Sequence, residues 1–114
     1  YAQMMLNDGL WKGRRIIENK QVKQFTELHY LPIDSERTLG WDTPSRNGKS
    51  SAGDYFSTST FGHLGYTGTS LWIDPENEII IALLTNRVHP TRERGEIYGI
   101  RREFHLQVMK ALLN

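Results

Sequence analysis

The residues best placed to do chemistry lie in one stretch, Phe61-Gly62-His63-Leu64-Gly65-Tyr66-Thr67-Gly68-Thr69-Ser70-Leu71-Trp72-Ile73-Asp74-Pro75. Three glycines fall within the seven residues from Gly62 to Gly68. Glycine weakens a strand, because it costs more backbone entropy to order and packs no side chain. Something must therefore demand its small size. One demand is structural, namely bulges and tight helix–strand packing. The other is a ligand or neighbouring element approaching the backbone closely. Both readings stay open on these residues alone.

No self-contained catalytic set accompanies this stretch. The chain has no Gly-x-Ser-x-Gly elbow, no Ser-x-x-Lys and no phosphate-cradling glycine loop. Its four histidines, His29, His63, His89 and His105, are scattered, and no two stand at helical ligand spacing. No metal site and no cofactor is read from them. His29 and His105 read as surface or helix-end histidines. Cysteine is absent, which excludes disulfides and thiolate ligands.

The elements that must position this stretch follow from pattern. The composition, 38% hydrophobic and 24% charged, is that of an ordinary globular chain. Fourteen basic against 13 acidic residues leave a net charge of +1, which makes no electrostatic case for nucleic acid or an anionic membrane. The longest apolar run, Ile79 to Leu84, is strand-sized, far below the roughly 18 residues of a membrane span. Tyr1 to about Asn7 reads as a helix already under way, with no cap and no initiator methionine, ending at Asp8-Gly9. The expectation is a chain cut from something longer. Trp11 to Ile17 reads as a short extended or turn segment, with Trp11 over a helix end. Asn19 can cap a second helix to about Thr26, with Val22 and Phe25 facing one side.

Pro32 begins a loop, Thr38 to Trp41 reads as a short strand, and Pro44 to Gly53 as an exposed loop. Thr58–Gly65, Thr69–Ile73 and Glu78–Thr85 read as three strands, the last two joined by the turn residues Asp74-Pro75-Glu76-Asn77. They form a three-stranded antiparallel meander. Pro90 to Gly95 is loop, and a last helix runs from about Glu96 to Leu113. Its Ile97, Ile100, Phe104, Val108 and Ala111 form one stripe for burial on the sheet. Arg92, Glu93, Arg94, Arg101 and Arg102 read as a solvated loop and helix face, and Trp41 and Trp72 as packing residues. The fold class is α+β, a meander with a C-terminal helix packed on it and short N-terminal helices.

The string from Gly62 to Pro75, with Leu84-Thr85-Asn86-Arg87-Val88-His89-Pro90 after it, resembles the C-terminal part of class C-type β-lactamases, related esterases and penicillin-binding proteins. Tyr1 to Thr26 is similar to a helix, turn and helix of that family, Leu39-Gly40-Trp41 to its next strand, and the last helix to the one packed on its sheet. The resemblance covers nearly the whole chain. In the family a Lys-Thr-Gly or His-Thr-Gly triplet lines the active site, and His63-Leu64-Gly65 falls at the triplet. It implies that His63 acts as imidazolium, neutral donor or proton relay near the nucleophile and a substrate carboxylate. It implies that Gly65 keeps the strand accessible and that the Tyr66 N–H matches one oxyanion-hole donor. Losing one such donor typically costs roughly 3 kcal/mol of transition-state stabilisation. Substrate would lie along the strand partly by backbone pairing.

Two departures matter. Leu64 stands where Thr or Ser is usual, which removes a hydroxyl that commonly meets a substrate carboxylate and leans towards an esterase- or peptidase-like relative. The Ser-x-x-Lys nucleophile and Tyr-x-Asn base motifs are missing, and Tyr55-Phe56-Ser57 reads as loop. The expectation is one partial domain, residues 1–114, of a penicillin-recognising serine hydrolase acting on peptide, β-lactam or ester by acyl-enzyme chemistry. It supplies the active-site strand but not the serine. Its first partner is the N-terminal part of its own domain, and its exposed sheet invites self-association. The family is commonly exported, which implies a periplasmic or extracytoplasmic setting. Two alternatives are a noncatalytic module that binds peptide or a partner on the same sheet edge, and a structural domain whose glycines serve packing only.

Overall fold

A computed structural model describes residues 1–28, 32, 35–45, 50–93 and 95–114. His29, Arg94 and part of the expected loop from Pro44 to Gly53 lie outside them. The order is α1 (Ala2–Leu6), β1 (Leu10–Trp11), β2 (Arg14–Arg15), α2 (Asn19–Thr26), β3 (Phe61–Leu64), β4 (Ser70–Asp74), β5 (Ile79–Leu83) and α3 (Ile97–Leu113). The expected meander is present, with β3, β4 and β5 antiparallel in that order. Phe61 pairs with Ile73 and His63 with Leu71, while Trp72 pairs with Ile81.

Side-chain alternation splits the sheet into two faces. Phe61 and Ile73 meet Met4 and Met5 of α1 and Val22 of α2, forming one apolar cluster. Ser70, Trp72 and Asp74 face the other way, towards α3 and the loop before β3. The chain is thus helices, sheet, helix.

Local chemistry explains the connections. β1 and β2 form a two-residue hairpin through Lys12 and Gly13, both at positive φ (49° and 77°), the backbone that matches strand twist. Asp74 organises the β4–β5 turn. Its carboxylate accepts from Asn77 N at 3.1 Å and Asn77 Nδ2 at 2.8 Å. It also accepts from Ser57 Oγ at 2.6 Å and Ser57 N at 3.0 Å, stapling the preceding loop to the sheet. Burial alone would raise its pKa, but these four hydrogen bonds outweigh burial and hold it below the ordinary value.

Several expectations need correction. The buried stripe of α3 is Ile97, Arg101, His105 and Met109, and Ile100 is 54% exposed with Ala111 also exposed. The helix is rotated because Arg101 and His105 find backbone and hydroxyl partners on the sheet side, so polar burial fixes its face. Arg101 is therefore not on a solvated face, and His105 is not a surface histidine. In α2, Val22 and Thr26 are buried while Phe25 is 49% exposed, since Thr26 closes its hydroxyl on Val22 O at 2.9 Å. Glu18, not Asn19, is the N-cap. Thr38–Trp41 is a turn closed by Thr38 N on Trp41 O, flanked by the bridge Arg37–Asp42.

Candidate active site

β3 carries the candidate residues to one end of the sheet. Its outer edge is half covered. Asp42 N donates to Gly62 O at 2.8 Å and Gly62 N to Asp42 O at 2.9 Å. Past Gly62 no strand covers this edge among the described residues. Because outward-pointing backbone groups recur every second residue, Leu64 presents its own on this open half, and Tyr66 follows in the turn.

His63 is exposed, and its Nδ1 lies 2.9 Å from Leu64 O. A carbonyl only accepts, so Nδ1 carries a proton in this contact and Nε2 faces outwards from it. Leu64 is half-buried and lines a cleft of about 290 Å³ together with Trp72, Thr43 and Tyr98. Tyr66 is 64% exposed, and its ring lies 5.0 Å from the Arg87 guanidinium. No hydrogen bond engages the Tyr66 N–H among the described residues. His63, Leu64, Gly65 and Tyr66 thus sit together at the end of β3 and the start of the β3–β4 turn, as their adjacency requires.

The turn itself is held from behind. Arg101 Nη2 donates to Gly65 O at 2.6 Å and Thr69 O at 3.0 Å, and its Nε to Gly68 O at 2.9 Å. Arg87 Nε donates to Tyr66 O at 2.8 Å, while Arg87 N and Thr85 Oγ1 both reach Thr67 O at 2.9 Å. Burial pushes the Arg101 guanidinium below its ordinary pKa, with Tyr98 acting upwards and Arg87 downwards. Sequence reading missed Arg101, although its spacing of four from both Ile97 and His105 was a visible signal.

The glycines have local explanations. A Cβ on Gly62 would fall on Leu71 O and the Trp72 indole, and Gly68 adopts φ +96° directly beneath Thr85 and Ile97. Ser57, at the alternative Tyr55-Phe56-Ser57 segment, is turned to the Asp74 carboxylate at 2.6 Å. Among the described residues no imidazole or amine bonds to it, so this hydroxyl is a staple and not an activated nucleophile.

Fold and site define an antiparallel sheet end backed by a helix. A sequence profile of the Beta-lactamase family matches residues 5–105, and the chain belongs to that family of serine β-lactamases and penicillin-binding proteins. A protein of Salmonella typhi named "Putative D-alanyl-D-alanine carboxypeptidase" is 41% identical over 91 residues, covering 76% of this chain and 20% of the relative. A protein of the same name in Salmonella enteritidis PT4 is 40% identical with the same coverage. The chain therefore spans about one fifth of the length of these curated relatives. A solved β-lactamase from Mycobacterium bovis shares the fold at TM-score 0.72 and 19% identity, over 97% of this chain and 41% of that one.

Proposed function

We propose that these 114 residues are one partial domain, the C-terminal portion of a penicillin-recognising serine hydrolase, contributing the active-site strand but not the nucleophile. Preceding residues of the longer protein supply the serine, its lysine and the tyrosine base. Acyl transfer from a peptidoglycan-like peptide, a β-lactam or an ester then proceeds through an acyl-enzyme. Membership of the Beta-lactamase family supports the reaction class. The carboxypeptidase-like relatives favour a peptide substrate.

The observation that carries the reading is the half-open edge of β3. Asp42 occupies Gly62, and beyond it the outward Leu64 N–H and the Tyr66 N–H are left to a substrate, while Leu64 O meets His63 Nδ1 and Tyr66 O accepts from Arg87 Nε. In this reading the Tyr66 N–H donates to the developing oxyanion, because a fixed backbone donor stabilises charge that appears only in the transition state. His63 donates to, or relays a proton near, the leaving group and substrate carboxylate. Leu64 offers an apolar wall where a hydroxyl would bind a β-lactam carboxylate, which favours peptide or ester over β-lactam.

Covalent labelling tests this. The isolated chain should take up no fluorescent penicillin or fluorophosphonate, whereas the longer protein should be labelled at a serine outside these residues. Label at Ser57, Ser59 or Ser70 would overturn it. A second reading, a noncatalytic module binding peptide on the same edge, is favoured by the absence of the serine motif here. That reading is distinguished by peptide binding to the longer protein without any labelling.

A further inference from the structure

The turn after β3 has an unusual division of its polar groups. From Gly65 to Thr69 every carbonyl oxygen accepts a hydrogen bond from within the protein. The Tyr66 N–H between them is engaged by nothing among the described residues. The turn is thereby a surface of donors, with its acceptors drawn inwards. Three of those five carbonyls, Gly65, Gly68 and Thr69, are gathered by the single guanidinium of Arg101.

Arg101 is only 4% exposed, and no carboxylate pairs with it among the described residues. A buried cation without an anion is costly, and a helix residue needed only for packing would be met by Leu or Met at no such cost. The planar fork also matters. Only a guanidinium presents several fixed donors to three carbonyls that curve around it. Arg87 fixes Tyr66 O and covers the Tyr66 ring.

We propose that Arg101 is a positioning residue of the acyl-transfer site. From behind the turn it fixes Gly65 to Thr69 so that the Tyr66 N–H is held in place for an oxyanion, and it leaves its unneutralised charge beneath that donor. The inference rests on the proposed function, which supplies the oxyanion. Arg101 touches no substrate. It acts through the backbone that it orders, with Arg87 holding Tyr66 O and Thr67 O in the same turn.

The test uses the longer protein with Arg101→Gln and Arg101→Lys, and two independent readouts. The first is hydrogen exchange of a peptide spanning residues 64–70. Arg101→Gln should speed exchange at Gly65 and Gly68, whose N–H groups close the turn on Thr69 O and Gly65 O, and leave the helices unchanged. The second is acylation by a D-Ala-D-Ala peptide or fluorescent penicillin. Arg101→Gln should lower kcat up to about a hundredfold with KM changed less than about threefold, as expected for a slightly displaced transition-state donor. Arg101→Lys keeps the charge but not the fork, and should recover part of the rate. Full activity in Arg101→Gln overturns the proposal, and so does a rate loss matched by faster exchange throughout the domain. If the parent chain with Arg101 intact acylates with no probe, the functional reading falls and the acylation role with it. The exchange arm then reports separately whether Arg101 orders the turn.

Discussion

His105 Nε2 lies 3.1 Å from Ser70 Oγ, joining the middle of α3 to the first residue of β4. Its Nδ1 lies 2.9 Å from Ser51 O. Since a carbonyl only accepts, Nδ1 donates there and Nε2 accepts the Ser70 hydroxyl proton. The imidazole is thus held neutral and bridges helix, strand and loop at full burial. One helical turn away, Arg101 performs the same kind of task on the β3–β4 turn, so α3 is fastened to the sheet by polar bonds as much as by Ile97 and Met109.

That arrangement makes stability fall with acid in a defined window. Burial pushes the His105 pKa down from 6.5, against smaller upward contributions from Ser51 and Arg101 backbone contacts and a downward one from the Arg101 charge. A histidine with a lowered folded pKa takes up a proton more readily when unfolded. Its contribution is therefore complete above about pH 6.5 and is lost as pH falls through 6.5 towards the lower folded value. Urea midpoints measured from pH 7.5 to 5 should drop for the parent chain, and His105→Gln should flatten that slope while lowering stability at pH 7.5. An unchanged slope in His105→Gln would show that His105 is not the titrating group.

Asp74 titrates in a separate and lower window. Its folded pKa lies below 3.8, so its stabilisation is present above that value and is lost as pH falls through the folded pKa. Asp74→Ala at neutral pH strands the Ser57 and Asn77 donors and should cost about 2–4 kcal/mol of unfolding free energy. The same substitution should leave any labelling of the longer protein by an acyl probe at a serine outside these residues. A loss below about 0.5 kcal/mol would mean that solvent replaces the carboxylate without penalty.

How much of this was legible in sequence depends on which force placed each residue. The meander was readable because β-branched runs and Asp74-Pro75-Glu76-Asn77 set strands and turn locally. The grouping of His63 to Tyr66 at the end of β3 and the start of its turn was readable because the four residues are adjacent in the chain. The face of α3 was not, since hydropathy ranks Ile100 above Arg101 and His105, whereas the carbonyls of Gly65, Gly68 and Ser51 are partners only once the chain has folded. Phe25 was misplaced for a related reason: a threonine can be buried beside Val22 by bonding its own helix. Long-range polar pairing leaves no periodic trace in one sequence.

Gly62 supplies a sharp packing test. Trp72 crosses directly over it, so Gly62→Ala places a methyl in the indole and on Leu71 O. The neighbours are a buried ring and backbone, neither free to swing away, and overpacking of this kind costs about 1–3 kcal/mol. The cost should appear as a lower urea midpoint and a shifted Trp fluorescence maximum. Pairing Gly62→Ala with Trp72→Leu should restore part of the loss, whereas two fully additive losses would argue against the steric account.

The sheet's other edge predicts how the chain behaves in isolation. β5 is paired only with β4 among the described residues, and its outer edge offers unpaired backbone groups. Ile80 and Ala82 project from the same face as Ile73 and are exposed, and Leu84 just beyond is 83% exposed. A bare, apolar edge strand is a template for another strand. The chain spans about one fifth of its curated relatives' length. Alone at micromolar concentration it should therefore sediment as dimers or larger species, with a weight-average mass that rises with concentration. Ile80→Lys, which puts a charge on that face without touching the buried Ile81, should shift it towards monomer. A monodisperse monomer of high thermal stability in the parent chain would instead mark these residues as a self-sufficient domain.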